Sequence, residues 1–138
     1  MRRKAFTLIE LIMIIVILGI LAVVAIPRYF DLQRQARDAA IDGVTGGVRG
    51  GIQTSFANNR SWPTTLEAAT DDDTVVFEGV LQEGVPVAVS GVGWTVSGTT
   101  YTYTFQGDAP DGGIEVYVYT PAQGTFAIDT DTTTHVRR

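Results

Sequence analysis

An α+β fold is predicted: one long amino-terminal helix, apolar in its first half and amphipathic in its second, with the second half packed on a small antiparallel sheet. Three observations carry it. Phe6 to Ile26 is an apolar run interrupted by a single charge, Glu10. Ile41, Val44, Val48, Ile52 and Phe56 then recur at three- or four-residue steps, the period of one helix face. Further on, Tyr101, Tyr103 and Phe105 alternate with Thr102, Thr104 and Gln106, the two-residue period of a strand.

The apolar run has 21 residues. As a helix it extends about 31 Å, close to the roughly 30 Å of bilayer hydrocarbon, so it is long enough to span once. Arg2, Arg3 and Lys4 precede it and the next basic residue is Arg28, which places the amino terminus in the cytoplasm and the rest outside. A secretory signal is cut after its apolar segment, at small residues. Here that exit reads Ala25, Ile26, Pro27, Arg28, Tyr29, a poor site, whereas a small residue, Ala5, sits on the near side. The pattern points to a cut before the run, with the apolar helix kept. Glu10 is then conspicuous, because an ionised side chain at bilayer depth is unfavourable by at least about 2.5 kcal/mol and calls for a cationic partner. The bland alternative is a carboxylate snorkelling at the membrane edge.

Ala5 followed by Phe6, Thr7, Leu8, Ile9, Glu10, Leu11 and Ile12, then an apolar helix holding Gly19 and Pro27, resembles the type IV pilin superfamily. The resemblance implies cleavage by a prepilin peptidase between Ala5 and Phe6, methylation of the new Phe6 amine, and assembly of a homo-oligomeric helical filament. It implies that Glu10 engages the Phe6 amine of a neighbouring subunit, neutralising both charges and setting register. It also implies that the stretch from Gly19 to Pro27 can lose helical structure on assembly. The partners implied are the peptidase, an inner-membrane assembly platform with its assembly ATPase, and membrane lipid before assembly. The precursor would sit in the inner membrane with its head outside, and the mature chain in a cell-surface filament. Pro27, Arg28, Tyr29, Phe30, Asp31, Leu32 and Gln33, followed by an Ala-rich helix, look most like small MSHA-type pilins. Pilin heads often carry a cysteine pair; this chain has no cysteine.

The expected layout is a leader at 1–5, a membrane or filament-core helix at 6–26, its amphipathic continuation at 27–60 and a β-rich head at 61–138. Pro27 lacks the N–H of the helix ladder, so a bend is expected there. Arg34, Arg37, Asp38, Asp42 and Arg49 mark the polar face. Gly43, Gly46, Gly47, Gly50 and Gly51 each disfavour helix by about 0.8 to 1.0 kcal/mol relative to Ala. Either Gly43, Gly47 and Gly51 form a smooth face for close approach, or the helix is frayed and held by tertiary contact. It should end around Asn58 to Arg60, before Trp62 and Pro63. Thr74 to Leu81, Val85 to Val89 and Trp94 to Val96 read as short apolar segments of the head, broken by Gly and Pro. Tyr101 to Gln106 and Val116 to Tyr119 read as a hairpin across Asp108 to Gly113, and Phe126 with Ile128 as a final edge strand. Laying the stripe on this sheet buries it.

Chemistry is sparse. The net charge is −5, and without Arg2, Arg3 and Lys4 the chain holds seven basic residues against fifteen acidic, so no specific nucleic-acid binding is predicted. The one histidine, His135, lies in a Thr-rich tail, and no P-loop, HExxH or cysteine ligand pair is present, so neither catalysis nor a cofactor is expected. Asp71, Asp72 and Asp73 are weak candidates for calcium, better read as a solvated loop. Asp108, Asp111, Asp129 and Asp131 read as turn and tail residues. The aromatics Phe6, Tyr29, Phe30 and Phe56 fit interfacial and packing roles better than electron conduction. The function expected is a structural subunit of a bacterial surface filament. A type II secretion pseudopilin is the alternative, lowered by the lack of a carboxyl-terminal calcium loop. A membrane-anchored binding module is less favoured.

Overall fold

The computed structural model describes residues 6–68, 74–106 and 112–135. Its elements are α1 (Leu8–Asn59), β1 (Val75–Val76), β2 (Val85–Pro86), β3 (Gly93–Ser97), β4 (Thr100–Phe105), β5 (Gly113–Thr120) and β6 (Thr125–Ile128). The chain forms two compact units, dividing after Asp38.

In the first unit α1 runs without interruption through Gly19 and Pro27. Pro27 therefore does not end the helix. Its large apolar side chains from Leu8 to Ile26 are all exposed, as are Tyr29, Phe30 and Leu32.

The second unit packs the rest of α1 against a four-stranded antiparallel sheet ordered β3-β4-β5-β6, so the α+β expectation holds. The stripe is buried as its spacing predicts: Ile41, Val48 and Ile52 enter the core and Val44 packs beside them. Phe56 lies at the rim instead, its ring stacked on Trp62 at 4.0 Å. The helix ends at Asn59, where Arg60 takes a φ of +58° and its N–H returns to the Phe56 carbonyl. Register sets the sheet faces. Tyr101 opposes Tyr117 and Tyr119 opposes Phe126, so these aromatics share the face toward α1, while Thr102 and Val116 lie on the other. The hairpin between β4 and β5 and the edge position of β6 match expectation; most of the turn, residues 107–111, lies outside the described residues. Arg49 Nε donates to the Phe126 carbonyl at 3.0 Å, tying α1 to the edge strand.

Two of the short apolar segments form only two-residue strands. Thr74 to Leu81 yields only Val75–Val76, because Phe77 adopts a φ of +67° and the N–H groups of Val80 and Leu81 turn back to its carbonyl. The turn drives Phe77 into the centre of the core, fully buried, where its ring stacks on Tyr101 at 4.6 Å and meets Trp94 and Phe126 edge-on. Val85 to Val89 yields Val85–Pro86 plus isolated bridges from Val87 to Trp94 and Val89 to Val92. Burial, then the neighbouring Glu67 carboxylate, pushes the Tyr101 hydroxyl well above the usual phenol range, so it stays protonated and donates to Glu67.

The helix glycines divide. A Cβ on Gly51 would strike the Val80 carbonyl, so the loop after Phe77 reaches α1 only because that side chain is missing. Gly47 has ordinary contact with Leu81, and Gly43, Gly46 and Gly50 face open space. The smooth-face reading is thus correct at Gly51 and not at Gly43. Gly46→Ala should raise head stability by up to about 1 kcal/mol through helix propensity. Gly51→Ala should lower it by about 1 to 3 kcal/mol by overpacking. Chemical denaturation followed by Trp fluorescence separates them, and equal effects of the two substitutions would contradict the close approach.

Candidate functional site

The site is the start of α1. Thr7 is the residue before the first helical turn and Glu10 lies in that turn. The Thr7 N–H donates to Glu10 Oε2 at 2.9 Å and the Thr7 hydroxyl donates to the same oxygen at 2.7 Å. The Glu10 N–H reaches the Thr7 hydroxyl oxygen at 3.4 Å. This is a reciprocal capping box, which satisfies helix-start N–H groups that would otherwise lack partners. Beyond its charge, Glu10 carries a capping signal in the sequence that the reading above leaves unused: threonine, two residues, then glutamate, just ahead of an apolar run. Both bonds to the carboxylate fall on Oε2, and Oε1 makes no hydrogen bond among the described residues.

The other sequence-predicted positions lie apart from this cap. Phe6 is largely exposed beside it, and Ala5 lies outside the described residues. Gly19 and Pro27 sit farther along the helix, with no heavy atom near the place of a Gly19 Cβ. Asp71, Asp72 and Asp73, with Asp108 and Asp111, lie outside the described residues. Among the described residues no group of three His, Asp or Glu side chains is placed to hold a metal ion. Asp129 closes a turn: its carboxylate accepts from the Thr132 hydroxyl at 2.9 Å and from the Asp131 N–H at 3.0 Å, which holds its carboxyl below the usual range. Asp131 is a turn residue in the same loop.

His135, though near the end of the Thr-rich tail, is held in the head. It is buried, its ring stacks on Phe105 with centroids 3.7 Å apart, and Nδ1 lies 3.1 Å from the Gly112 carbonyl. The tail is held by threonines, since Thr133 and Thr134 hydroxyls accept from the Val116 and Ile114 N–H groups at 3.0 Å. Nearby on β5, Glu115 is fully buried and accepts from the Tyr117 hydroxyl at 2.7 Å. These are structural roles, and neither group was legible as buried from the sequence pattern.

Residues 1–26 match the prokaryotic N-terminal methylation motif. The chain is 44% identical over 64 residues to a type IV narrow pilus major component of Thermus thermophilus, covering 46% of this chain and 55% of that protein. These matches support the type IV pilin superfamily. A fimbrial protein of Eikenella corrodens is 32% identical over 97 residues, covering 70% of this chain and 62% of its own length. A type IV major pilin of Neisseria gonorrhoeae is 33% identical over 86 residues, 62% of this chain and 40% of that pilin. The chain thus spans 40 to 62% of the length of these curated relatives. No solved structure gives a significant match. Within the superfamily, these pilus and fimbrial relatives do not favour a secretion pseudopilin, and the finer likeness to MSHA-type pilins finds no support in them.

The capping box gives the conspicuous acid a task of its own, ordering the first helical turn. Thr7→Ala should fray that turn at a cost of about 1 kcal/mol. Amide hydrogen exchange in detergent micelles should then quicken at Ile9 to Ile12 and not beyond Gly19. Unchanged protection at those amides would contradict the cap.

Proposed function

We propose that this chain is a structural subunit of a bacterial type IV pilus-like surface filament, assembled through its amino-terminal helix and without catalytic activity of its own. The observation that carries the reading is the stretch from Leu8 to Ile26, aliphatic on every side and wholly uncovered within the chain, inside the segment that matches a methylation motif. Such a helix requires lipid or other apolar helices around it.

In this reading a prepilin peptidase cuts between Ala5 and Phe6 and the new amine is methylated. The precursor waits in the inner membrane with its amino terminus in the cytoplasm and its head outside. An assembly platform and ATPase then transfer the helix into the filament axis, where Gly19 and Pro27 permit local loss of helix. Glu10 serves both helix and register. Oε2 keeps the Thr7 cap within one subunit, while Oε1 is available to the Phe6 amine of a neighbour, removing two charges from an apolar setting at once.

Mass spectrometry of sheared surface filaments should find a mature amino terminus at Phe6 carrying one methyl group; a chain beginning at Met1 would overturn the processing. Two substitutions separate the tasks of Glu10. Glu10→Gln preserves the capping pattern, which accepts glutamine, and removes the charge. Glu10→Ala removes both. If charge pairing sets register, both variants insert in the membrane and neither enters filaments. Filaments built normally from the Gln variant would reduce Glu10 to a cap.

A further inference from the structure

The chain's two asparagines, Asn58 and Asn59, stand side by side at the end of α1, and Asn59 opens the triplet Asn59, Arg60, Ser61. Asparagine, any residue but proline, then serine or threonine is the acceptor pattern for a glycan on the asparagine amide. The triplet alone is a weak signal, because serine and threonine are frequent in this chain. Its setting strengthens it. Asn59, Arg60 and Ser61 are all exposed. A helix points residues i and i+2 to different sides, so a transferase can engage the amide and the hydroxyl together only where the helix stops. α1 stops at Asn59, and Arg60 at a φ of +58° turns the chain before Ser61. Proline, fixed near −65°, could not take that place. The amide is also weakly held, since Asn59 Nδ2 donates to the Ser55 hydroxyl at 3.4 Å, beyond the usual length of such bonds.

A second observation lies beside the triplet. Asn58 and Asn59 line a groove of about 370 Å³ between the end of α1 and the loop that follows Phe77. Thr54 and Ser55 on the helix, with Glu78 and Gln82 on the loop, add hydroxyl, carboxylate and amide groups, and among the described residues no cationic side chain lines it. Such donors and acceptors suit sugar hydroxyls, whereas a phosphate or carboxylate ligand would call for Arg or Lys. We infer that Asn59 is a glycosylation site, its Nδ2 carrying an oligosaccharide whose first sugars lie in this groove. The inference rests on the head lying outside the cytoplasm, as proposed above. The donor is an oligosaccharide on a polyprenyl pyrophosphate, presented by a membrane-bound transferase to a chain whose own apolar helix holds it at the membrane. A bond forms between Nδ2 and the anomeric carbon of the first sugar as the bond from that carbon to the pyrophosphate oxygen breaks. The oxygen leaves with the electron pair as the lipid pyrophosphate, and the amide gives one proton to a base of the transferase.

Full-length chain is purified from membranes and sheared filaments of the cells that make it, and peptides spanning Asn58 to Ser61 are fragmented in a mass spectrometer under conditions that keep glycosidic bonds. A sugar mass should sit on Asn59. It should be lost in Asn59→Gln and Ser61→Ala and kept in Asn58→Gln and Ser61→Thr, with the amount of chain in the membrane unchanged. An unmodified Asn59, sugar on a serine or threonine instead, or sugar retained by Asn59→Gln or Ser61→Ala overturns the site. Amide exchange at Gly79 to Gln82 should be slower in the unsubstituted chain than in Asn59→Gln; equal exchange overturns the seating of the sugars in the groove. Protease added outside the inner membrane separates failure of the site from failure of the placement. A head cut from outside while Asn59 is bare overturns the glycan alone, and a head shielded from the protease overturns the outward placement and the glycan together.

Discussion

Between Leu8 and Ile26, α1 presents aliphatic side chains in every direction, so no single sheet or helix face within the chain could cover them. A monomer in water would expose far more contiguous apolar surface than soluble proteins tolerate. The segment is stable only where its surroundings are apolar all round. From that constraint follow the basic residues ahead of it, the restriction to one carboxylate within it, and a head that must fold without help from those residues.

The head meets the last demand without disulfides by concentrating aromatic area. Phe77 is the centre of this packing, in contact with Trp94, Tyr101 and Phe126 while those rings reach Tyr103 and Tyr117. Aromatic pairs stabilise beyond their buried area by about 0.5 to 1.5 kcal/mol each. Holding Phe77 at positive φ carries strain, and the surrounding rings offset it. The sheet edge is managed too. Arg49 bonds the β6 carbonyl at Phe126, and the threonine tail covers the β5 N–H groups that β6 does not reach.

How far the sequence was legible depends on whether a residue's role was periodic or local. The stripe from Ile41 to Ile52 and the alternation along β4 and β5 are repeated signals, and both gave the right faces. Val75 to Leu81 carries no such signal, and its β-branched composition is a weak guide where one residue, Phe77, takes a left-handed conformation for the sake of core packing. Glycine spacing could not reveal which of Gly43, Gly47 and Gly51 has a neighbour, since that depends on where a distant loop returns. At the candidate site the charge of Glu10 was legible from its cost in an apolar setting. Its bond to Thr7 is legible from spacing as well, as a capping pattern that overlaps the start of the apolar run. The burial of His135 was not legible, because proximity to a terminus says nothing of the threonines that pin it.

The proposed route of the helix adds a final energetic point. Lipid tails are about as apolar as leucine, so moving an aliphatic helix from bilayer to filament gains little from the hydrophobic effect. Burial keeps the helix out of water in both places and chooses neither. The choice must come from terms that differ between them: the charge on Glu10, which lipid leaves uncompensated and a neighbouring amine does not, and contacts of the head, which exist only once copies are side by side. A long apolar helix therefore explains why the subunit is held, and the few features that are not apolar explain why it would leave lipid for its neighbours.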